Sequence, residues 1–391
     1  MSSASGAPKV VFDASNLAVG GGVQVAASLA GQFIEMAREP EMLGEHPWLE
    51  DLVFFLSPEV RDNLVQKVDA HQLKVGRTGR SDSRAWLRKT AQPFDLHLAV
   101  FGPRYGPRLA PLTVVGIADV TSIFRRPKGV PSGSPTERVR RSLRGLISRA
   151  MFRRETFLVS ESHGLIEEYR RRTGFPEGRT AVVPNALNQA VADPARREAF
   201  GVDLREGLRP GTLLMGYVTR AYPHKNLEFL AHLHSELRER GLDVKFVLTL
   251  SDEEWTKLSE DVRGASVNAG PILVSQVGNL FEQCDAAVFP SLLESFSAMP
   301  LEAMATVGLL FASDRWFVRE VCGDAVVYFD PLDPEKAAGT IAQVLTNAEL
   351  IDLYRTRAGR RVRELPDARG RAVAYAEIVT QALRHHGGSV W

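Results

Sequence analysis

The chain has 391 residues, with 48 Lys+Arg against 47 Asp+Glu and 44% apolar residues. That composition belongs to a globular protein and excludes a disordered or fibrous chain, while a formal net charge of +1 argues against nucleic acid as a partner. Two cysteines, Cys284 and Cys322, make neither a disulfide framework nor a zinc site; no apolar run nears the roughly 20 residues that span a bilayer, and the start MSSASGAPKV lacks a signal core, so a cytoplasmic protein is expected.

Short β-branched apolar runs alternate with amphipathic stretches. In the first half they predict strands at 10–14, 52–56, 96–101, 114–118, 156–159 and 180–183. Each run is apolar on successive residues, as strands buried on both faces must be. Val23, Ala26, Ala27, Ala30, Phe33, Ile34 and Ala37 mark a helix over 23–37. The second half repeats the alternation, with strands predicted at 212–218, 244–250, 286–289, 309–312 and 325–329. From Pro334 only helices follow, near 334–346, 350–364 and 367–385. Alternating strands and helices give a parallel sheet covered on both faces. The expected class is α/β, with two Rossmann-like doubly wound domains facing each other across a cleft and helices at the C-terminus. The expected domains are 1–188 and 189–370. A last helix over 371–391 is expected to pack back on the first.

Ligands of open α/β sheets bind beyond the carboxyl ends of the strands, and four features stand there. Gly20-Gly21-Gly22 joins the first strand to its helix. Glycines at that place let backbone approach a phosphate or sugar, or simply make a tight turn. Arg220-Ala-Tyr-Pro-His-Lys225-Asn226 follows the first strand of the second half. Two cations there, with Asn226 as a candidate N-cap for a helix over 227–240, form an anion trap for a diphosphate. In the run from Pro290 to Met304, Glu294 is placed in a loop and Glu302 in the first turn of a helix starting near Pro300. Two such carboxylates can hold separate hydroxyl-bearing parts of one ligand, with the Phe296 and Ser297 backbone beside them. Asp119 ends the strand at 114–118 and reads as a cleft-facing carboxylate or as a turn former. Asp252-Glu253-Glu254 reads as a helix-capping run. The scattered histidines give no metal site, and no GxSxG occurs.

Together these features resemble the GT-B retaining glycosyltransferases of family 4, the glycosyl transferases group 1. The resemblance covers nearly the whole chain. It rests on the glycine loop, Arg220 and Lys225, and the Glu294-x7-Glu302 pattern with Pro290-Ser291, Pro300 and Ala303-Met304. Val159-Ser-Glu161, Val183-Pro-Asn185, Glu320-Val-Cys-Gly-Asp324 and Phe329-Asp-Pro331 extend it. It implies that Arg220 and Lys225 hold the donor diphosphate, Glu294 meets the transferred sugar and Glu302 binds the ribose. Phe296 and Ser297 would lie beside sugar or phosphate, and Gly21 and Gly22 would bring the first domain to the donor. Asp119 joins Arg220, Lys225 and Glu294 as a candidate catalytic residue. No cofactor and no metal is expected, only a nucleotide-diphosphate sugar as donor. Base recognition by backbone is expected around 270–273 and 278–280. The sequence departs from the family at Ala118-Asp119, commonly His-Asp, at Ser297, commonly Gly, and at Gly308-Leu309-Leu310, commonly Gly-x-Pro. Loss of the histidine would suit a 6-deoxy sugar. A sugar-nucleotide epimerase of the same fold and a non-catalytic sugar-nucleotide-binding protein are the alternatives.

Between 121 and 154 stand ten basic residues and one acid, Glu137. Phe124 to Pro135 reads as a loop, followed by a helix with Val139, Leu143, Leu146, Ile147 and Ala150 on one face. That face is expected to pack on the sheet, with the arginines outward. Arg125, Arg126, Arg141 and Arg144 then become candidates for a glycan or lipid-linked acceptor, or for the anionic surface of the inner leaflet in surface-polysaccharide synthesis.

Overall fold

The computed structural model describes residues 7–18, 20–69, 71–77, 93–104, 108–124, 126, 128–130 and 134–386. The chain divides into two compact units. One comprises Met1–Phe124, Ser134–Asn185 and Pro366–Trp391; the other comprises Arg125–Gly133 and Ala186–Leu365. The changeovers at 185/186 and 365/366 lie a few residues before the expected 188/189 and 370/371.

Among the described residues the first unit has seven strands: β1 (Val10–Ala14), β2 (Val53–Leu56), β3 (Leu73–Val75), β4 (Leu96–Ala99), β5 (Leu112–Ile117), β6 (Phe157–Ser160) and β7 (Thr180–Val182). They form one sheet in the order β3-β2-β1-β4-β5-β6-β7. The second unit has β8 (Leu213–Tyr217), β9 (Val244–Leu248), β10 (Ser266–Asn268), β11 (Ala286–Phe289), β12 (Leu310–Ser313) and β13 (Val327–Phe329), in the order β10-β9-β8-β11-β12-β13. All the pairings are parallel. In each sheet the first strand lies inside, and strand order reverses beside it. Loops leaving β1 and β8 therefore open at the topological switch point, where doubly wound sheets bind ligands.

The apolar runs form strands because helices bury both of their faces. Every residue of β1, β2, β4, β5, β6, β11 and β12 is buried. Aromatic edge-to-face contacts tie the sheets to their helices, such as Phe12 on Phe33 at 6.0 Å in the first unit and Phe289 on Phe317 at 6.4 Å in the second. Two strands were absent from the sequence reading, β3 and β10. Each is three residues long, half-buried and at a sheet edge, so neither carries a continuous apolar run.

The last helix, Ala368–His386, belongs to the first unit. Ala372, Tyr375, Ala376 and Val379 join the core that contains Val23, Ala26 and Ala30 of the helix Gly21–Met36. Arg371 is carried inside with them: it donates to Asn185 Oδ1 and, at 3.0 Å, to Ser28 Oγ. Glu161 lies in the same region. Burial pushes its pKa up to about 7, and the Arg371 charge only partly offsets this.

The helix Pro135–Phe152 departs from expectation. Its buried residues are Gly145, Ser148 and Phe152. Val139, Leu143, Leu146 and Ile147, expected to face the sheet, are exposed. The side that packs on the unit carries Gly145, Ser148 and Phe152, and a Cβ on Gly145 would make ordinary contact with the Ser122 backbone at 3.4–3.5 Å.

Candidate functional site

The loop after β8 is a single turn, Pro223–Lys225, rather than the start of a helix. Asn226 then adopts a left-handed conformation with φ 59°, which Asn tolerates better than most residues. Its side chain does not cap the next helix, Glu228–Glu239, as expected. It donates instead to the carbonyls of Pro290 at 3.3 Å and Pro331 at 2.9 Å. Asn226 thereby ties the cationic loop to the loop after β11.

That second tie fixes the central pair. Lys225 Nζ lies 2.5 Å from Glu294 Oε1, and Ser291 Oγ donates to the same oxygen at 2.7 Å. Leu292 N–H donates to the His224 carbonyl at 2.8 Å. His224 Nε2 stands 3.9 Å from Glu294. Burial lowers the His224 pKa and the Lys225 charge adds to that, while Glu294 opposes it. Two residues 69 apart in sequence are thus one ion pair.

Arg220 has a separate partner. Its Nε donates at 2.9 Å to both oxygens of Glu254, whose Oε1 also accepts from Ala221 N–H at 3.1 Å. Glu254 does cap a helix, forming a capping box with Ser251 for Asp252–Thr256. It also orients the arginine. Burial raises its pKa, but Arg220 and the backbone donors outweigh that and hold it at about 2. The sequence reading took the acid run as a cap alone. The missed signal was position, because Glu254 stands just past β9, the strand beside β8.

Glu302 is the contrast. It sits in the first turn of the helix Met299–Ala305 and is buried. Its carboxylate has no hydrogen bond or ion pair among the described residues, and burial alone pushes its pKa up to about 7. A buried carboxylate without a donor is costly. Nearby Phe296 is buried and Ser297 is left-handed, φ 81°. Glycine suits that conformation best, which accounts for the family's usual glycine here and makes Ser297 a strained substitute.

The remaining candidates belong to the first unit. Gly20 has φ 74° and precedes the helix Gly21–Met36; no atom lies within 4 Å of where a Cβ on Gly20 or Gly21 would sit, and one on Gly22 would make ordinary contact with Phe101 and Leu17. Only Gly20 is required by backbone geometry. Below the loop, Asp13 accepts from Ser15 N–H at 2.9 Å and pairs with His97 Nε2 at 2.9 Å. Burial raises the Asp13 pKa, yet the His97 and Ser15 contacts bring it below its ordinary value. Asp119 accepts from Ser122 N–H at 3.2 Å, Thr121 Oγ1 at 2.8 Å and Ser148 Oγ at 3.3 Å, so its carboxylate caps the short helix Val120–Ile123.

The four expected arginines are divided between the two units. Arg125 lies outside the described residues. Arg126 is half-buried in the second unit and donates to the Val130 carbonyl. Arg141 and Arg144 are exposed on the helix Pro135–Phe152 of the first unit. Of the two segments expected to read a base, 270–273 begins in a loop at left-handed Gly270, whereas 278–280 lies within the helix Val277–Glu282. Among the described residues no three His, Cys, Asp or Glu side chains cluster as metal ligands.

A model of the glycosyl transferases group 1 family matches residues 203–363. These residues span β8 to β13 and carry Arg220, Lys225, Glu294 and Glu302. The match falls within the second unit. A putative glycosyltransferase, EpsF of Bacillus subtilis (strain 168), is 25% identical over 131 residues, which is 33% of this chain and 34% of that relative. The matched stretch thus spans about a third of the curated relative. In fold the likeness runs further. Anabaena HepE, solved with UDP and glucose, superposes with a TM-score of 0.67 at 14% identity, covering 95% of this chain and 99% of HepE. Sucrose-phosphate synthase from Thermosynechococcus elongatus gives 0.67 at 14% identity, covering 97% and 99%. The chain therefore has a two-domain GT-B architecture, and the family match lies in its second unit.

Proposed function

We propose that the protein is a retaining glycosyltransferase that moves a sugar from a nucleotide-diphosphate sugar to a glycan or lipid-linked acceptor. The observation that carries this reading is the contrast within the acidic motif of the second unit. Glu294 is bound to Lys225, whereas Glu302 is buried with no donor among the described residues. Ribose hydroxyls would supply the donors Glu302 lacks, as each hydroxyl can give one hydrogen bond. The diphosphate would lie against Arg220 and Lys225. Glu294, already held by Lys225 and Ser291, would accept from the transferred sugar.

In transfer, the bond from the anomeric carbon to the phosphate oxygen breaks, and its electron pair stays with the phosphate. Fixed cations lower the energy of that developing charge. The acceptor oxygen forms the new bond on the same face, and its proton passes to the departing phosphate. Arg220 and Lys225 would neutralise the diphosphate in place of a divalent ion, so the reaction is expected to proceed in excess chelator. Ala118 presents only a methyl group beside Asp119, which favours a 6-deoxy hexose over one whose 6-hydroxyl would lack a partner. The acceptor side is the inner leaflet of the cell membrane, with surface-polysaccharide assembly as the setting. HepE bound to UDP and glucose supports a uridine nucleotide as the first donor class to try.

The test is incubation with a panel of uridine, guanosine and thymidine diphosphate sugars, following nucleoside diphosphate release and the anomeric configuration of product by NMR. Release with retained configuration in the presence of EDTA is expected. Tight binding with no turnover would replace the reading by a non-catalytic one, and an epimerised donor by an epimerase.

A further inference from the structure

On the helix Pro135–Phe152 the pattern Val139, Leu143, Leu146, Ile147 has the spacing of one helical face. These side chains are 69%, 56%, 58% and 53% exposed. Ten large apolar side chains are exposed among the described residues, and four of them share this face. Single exposed apolar residues are ordinary, but a contiguous set marks an interaction surface. The body of the unit cannot be the partner, because it takes the opposite side through Gly145, Ser148 and Phe152.

Charge decides what covers the face. Arg140 and Arg144 flank it at one-turn spacing, and Arg138 and Arg141 are exposed further round. None of the four has a carboxylate partner among the described residues. The helix's one acid, Glu137, is spent in a capping box with Ser134. A second copy meeting this face would set arginines against arginines with no acid to separate them. An anionic lipid surface complements both features, since acyl chains accept the apolar ridge and phosphates accept the guanidinium groups. Arginine stems are long enough to reach headgroups from beside a buried ridge.

We infer that Pro135–Phe152 is a membrane-docking helix that lays Val139, Leu143, Leu146 and Ile147 into the headgroup boundary of an anionic bilayer, flanked by its arginines. This deepens the inner-leaflet part of the function proposed above and rests on it only for the choice of leaflet. It differs from adsorption by charge alone in one respect. An inserted helix keeps part of its grip when salt screens the arginines.

The experiment uses the full chain with vesicles of phosphatidylcholine, with and without phosphatidylglycerol, in a sedimentation assay. Binding to the anionic vesicles alone is expected, with a fraction retained at high salt. The double variant Leu143→Gln/Ile147→Gln should lower affinity at least about tenfold, from two buried side chains lost, and make binding fully releasable by salt. Arg138→Gln/Arg140→Gln should lower affinity by roughly tenfold or more, with the salt-resistant fraction kept. A dye on Leu146→Cys should shift to the blue on anionic vesicles. Nucleoside diphosphate release with a soluble acceptor, measured in the same variants, should match the parent, so failure here is separable from failure of the transferase reading. Circular dichroism checks the fold of these surface variants. The inference is overturned if the parent ignores anionic vesicles, or if the Leu143→Gln/Ile147→Gln variant binds as the parent does. Self-association abolished by that variant, without vesicle binding, would assign the face to a second copy instead.

Discussion

β1 and β8 hold equivalent places in their sheets, and the loops that leave them have opposite chemistry. After β1 come three glycines, of which Gly20 alone is required by its φ of 74°. After β8 come Arg220 and Lys225, each held by a carboxylate from a neighbouring loop. The first loop offers space and backbone; the second offers oriented charge. The comparison teaches that topology selects where a ligand can lie, while side chains beyond the strand ends select what it is. A loop of charged residues already fastened to partners is preorganised, so its charges need no rearrangement when a phosphate departs.

Removing charge from the β8 loop should have the largest effect. Lys225→Ala is expected to weaken transition-state stabilisation by about 2.7–4 kcal/mol, a rate loss of roughly 100- to 1000-fold. The check is kcat/KM for nucleoside diphosphate release, with melting temperature as the fold control. Turnover equal to the parent in an intact fold would break the contrast between the two loops, since charge would then do no more than glycine.

Glu302 sharpens the contrast from the side of stability. Its folded pKa, about 7, lies above the ordinary 4.5. Below the ordinary value the carboxyl is protonated in both states and costs nothing. As pH rises toward 7 the unfolded chain ionises first, so stability falls. Above 7 the loss is complete, about 3 kcal/mol. Glu302→Gln should therefore match the parent in acid and exceed it by up to about 3 kcal/mol at alkaline pH, read from denaturant melts across the range. Glutamine gives up charge-assisted acceptance, so nucleotide-sugar affinity should fall about 10- to 100-fold. A variant both more stable and a full binder would remove Glu302 from the donor site.

How much of this was legible in sequence depends on where the information resides. Strands buried on both faces announce themselves, whereas β3 and β10, short and at sheet edges, do not. Arg220, Lys225, Glu294 and Glu302 were visible as charges placed after strands. Their partners were not: Glu254 and Ser291 act across loops, and pairing between loops is a property of the fold. The orientation of Pro135–Phe152 was misread because amphipathic periodicity says that a helix has an apolar face, not where that face points. Its buried side is Gly145, Ser148 and Phe152, a set with one large apolar residue in it and so a weak signal in sequence.

Ser297 offers a smaller test on the β8 side. At φ 81° a Cβ strains the backbone, by about 1 kcal/mol. Ser297→Gly removes that strain but adds freedom to the unfolded chain. A net gain of up to about 1 kcal/mol is expected, with the N–H still pointing as before and turnover held. A loss of stability would mean that the serine side chain earns its place by a contact with ligand or protein.

The smallest expected effect belongs to the glycine loop and isolates its one proposed property. Gly21 opens the helix Gly21–Met36, and its missing Cβ would meet nothing within 4 Å. Alanine at a helical position is favoured over glycine by about 0.5–1 kcal/mol. Gly21→Ala should therefore stabilise the first unit slightly, visible as a small rise in melting temperature. If the loop matters only as a turn, activity will follow stability and stay level. If its backbone approaches the donor or acceptor, the added methyl occupies the ligand's space, and KM rises while the fold improves. Opposite signs in the two measurements are the expected result, because the proposed approach of a ligand to this backbone leaves no room for a methyl group.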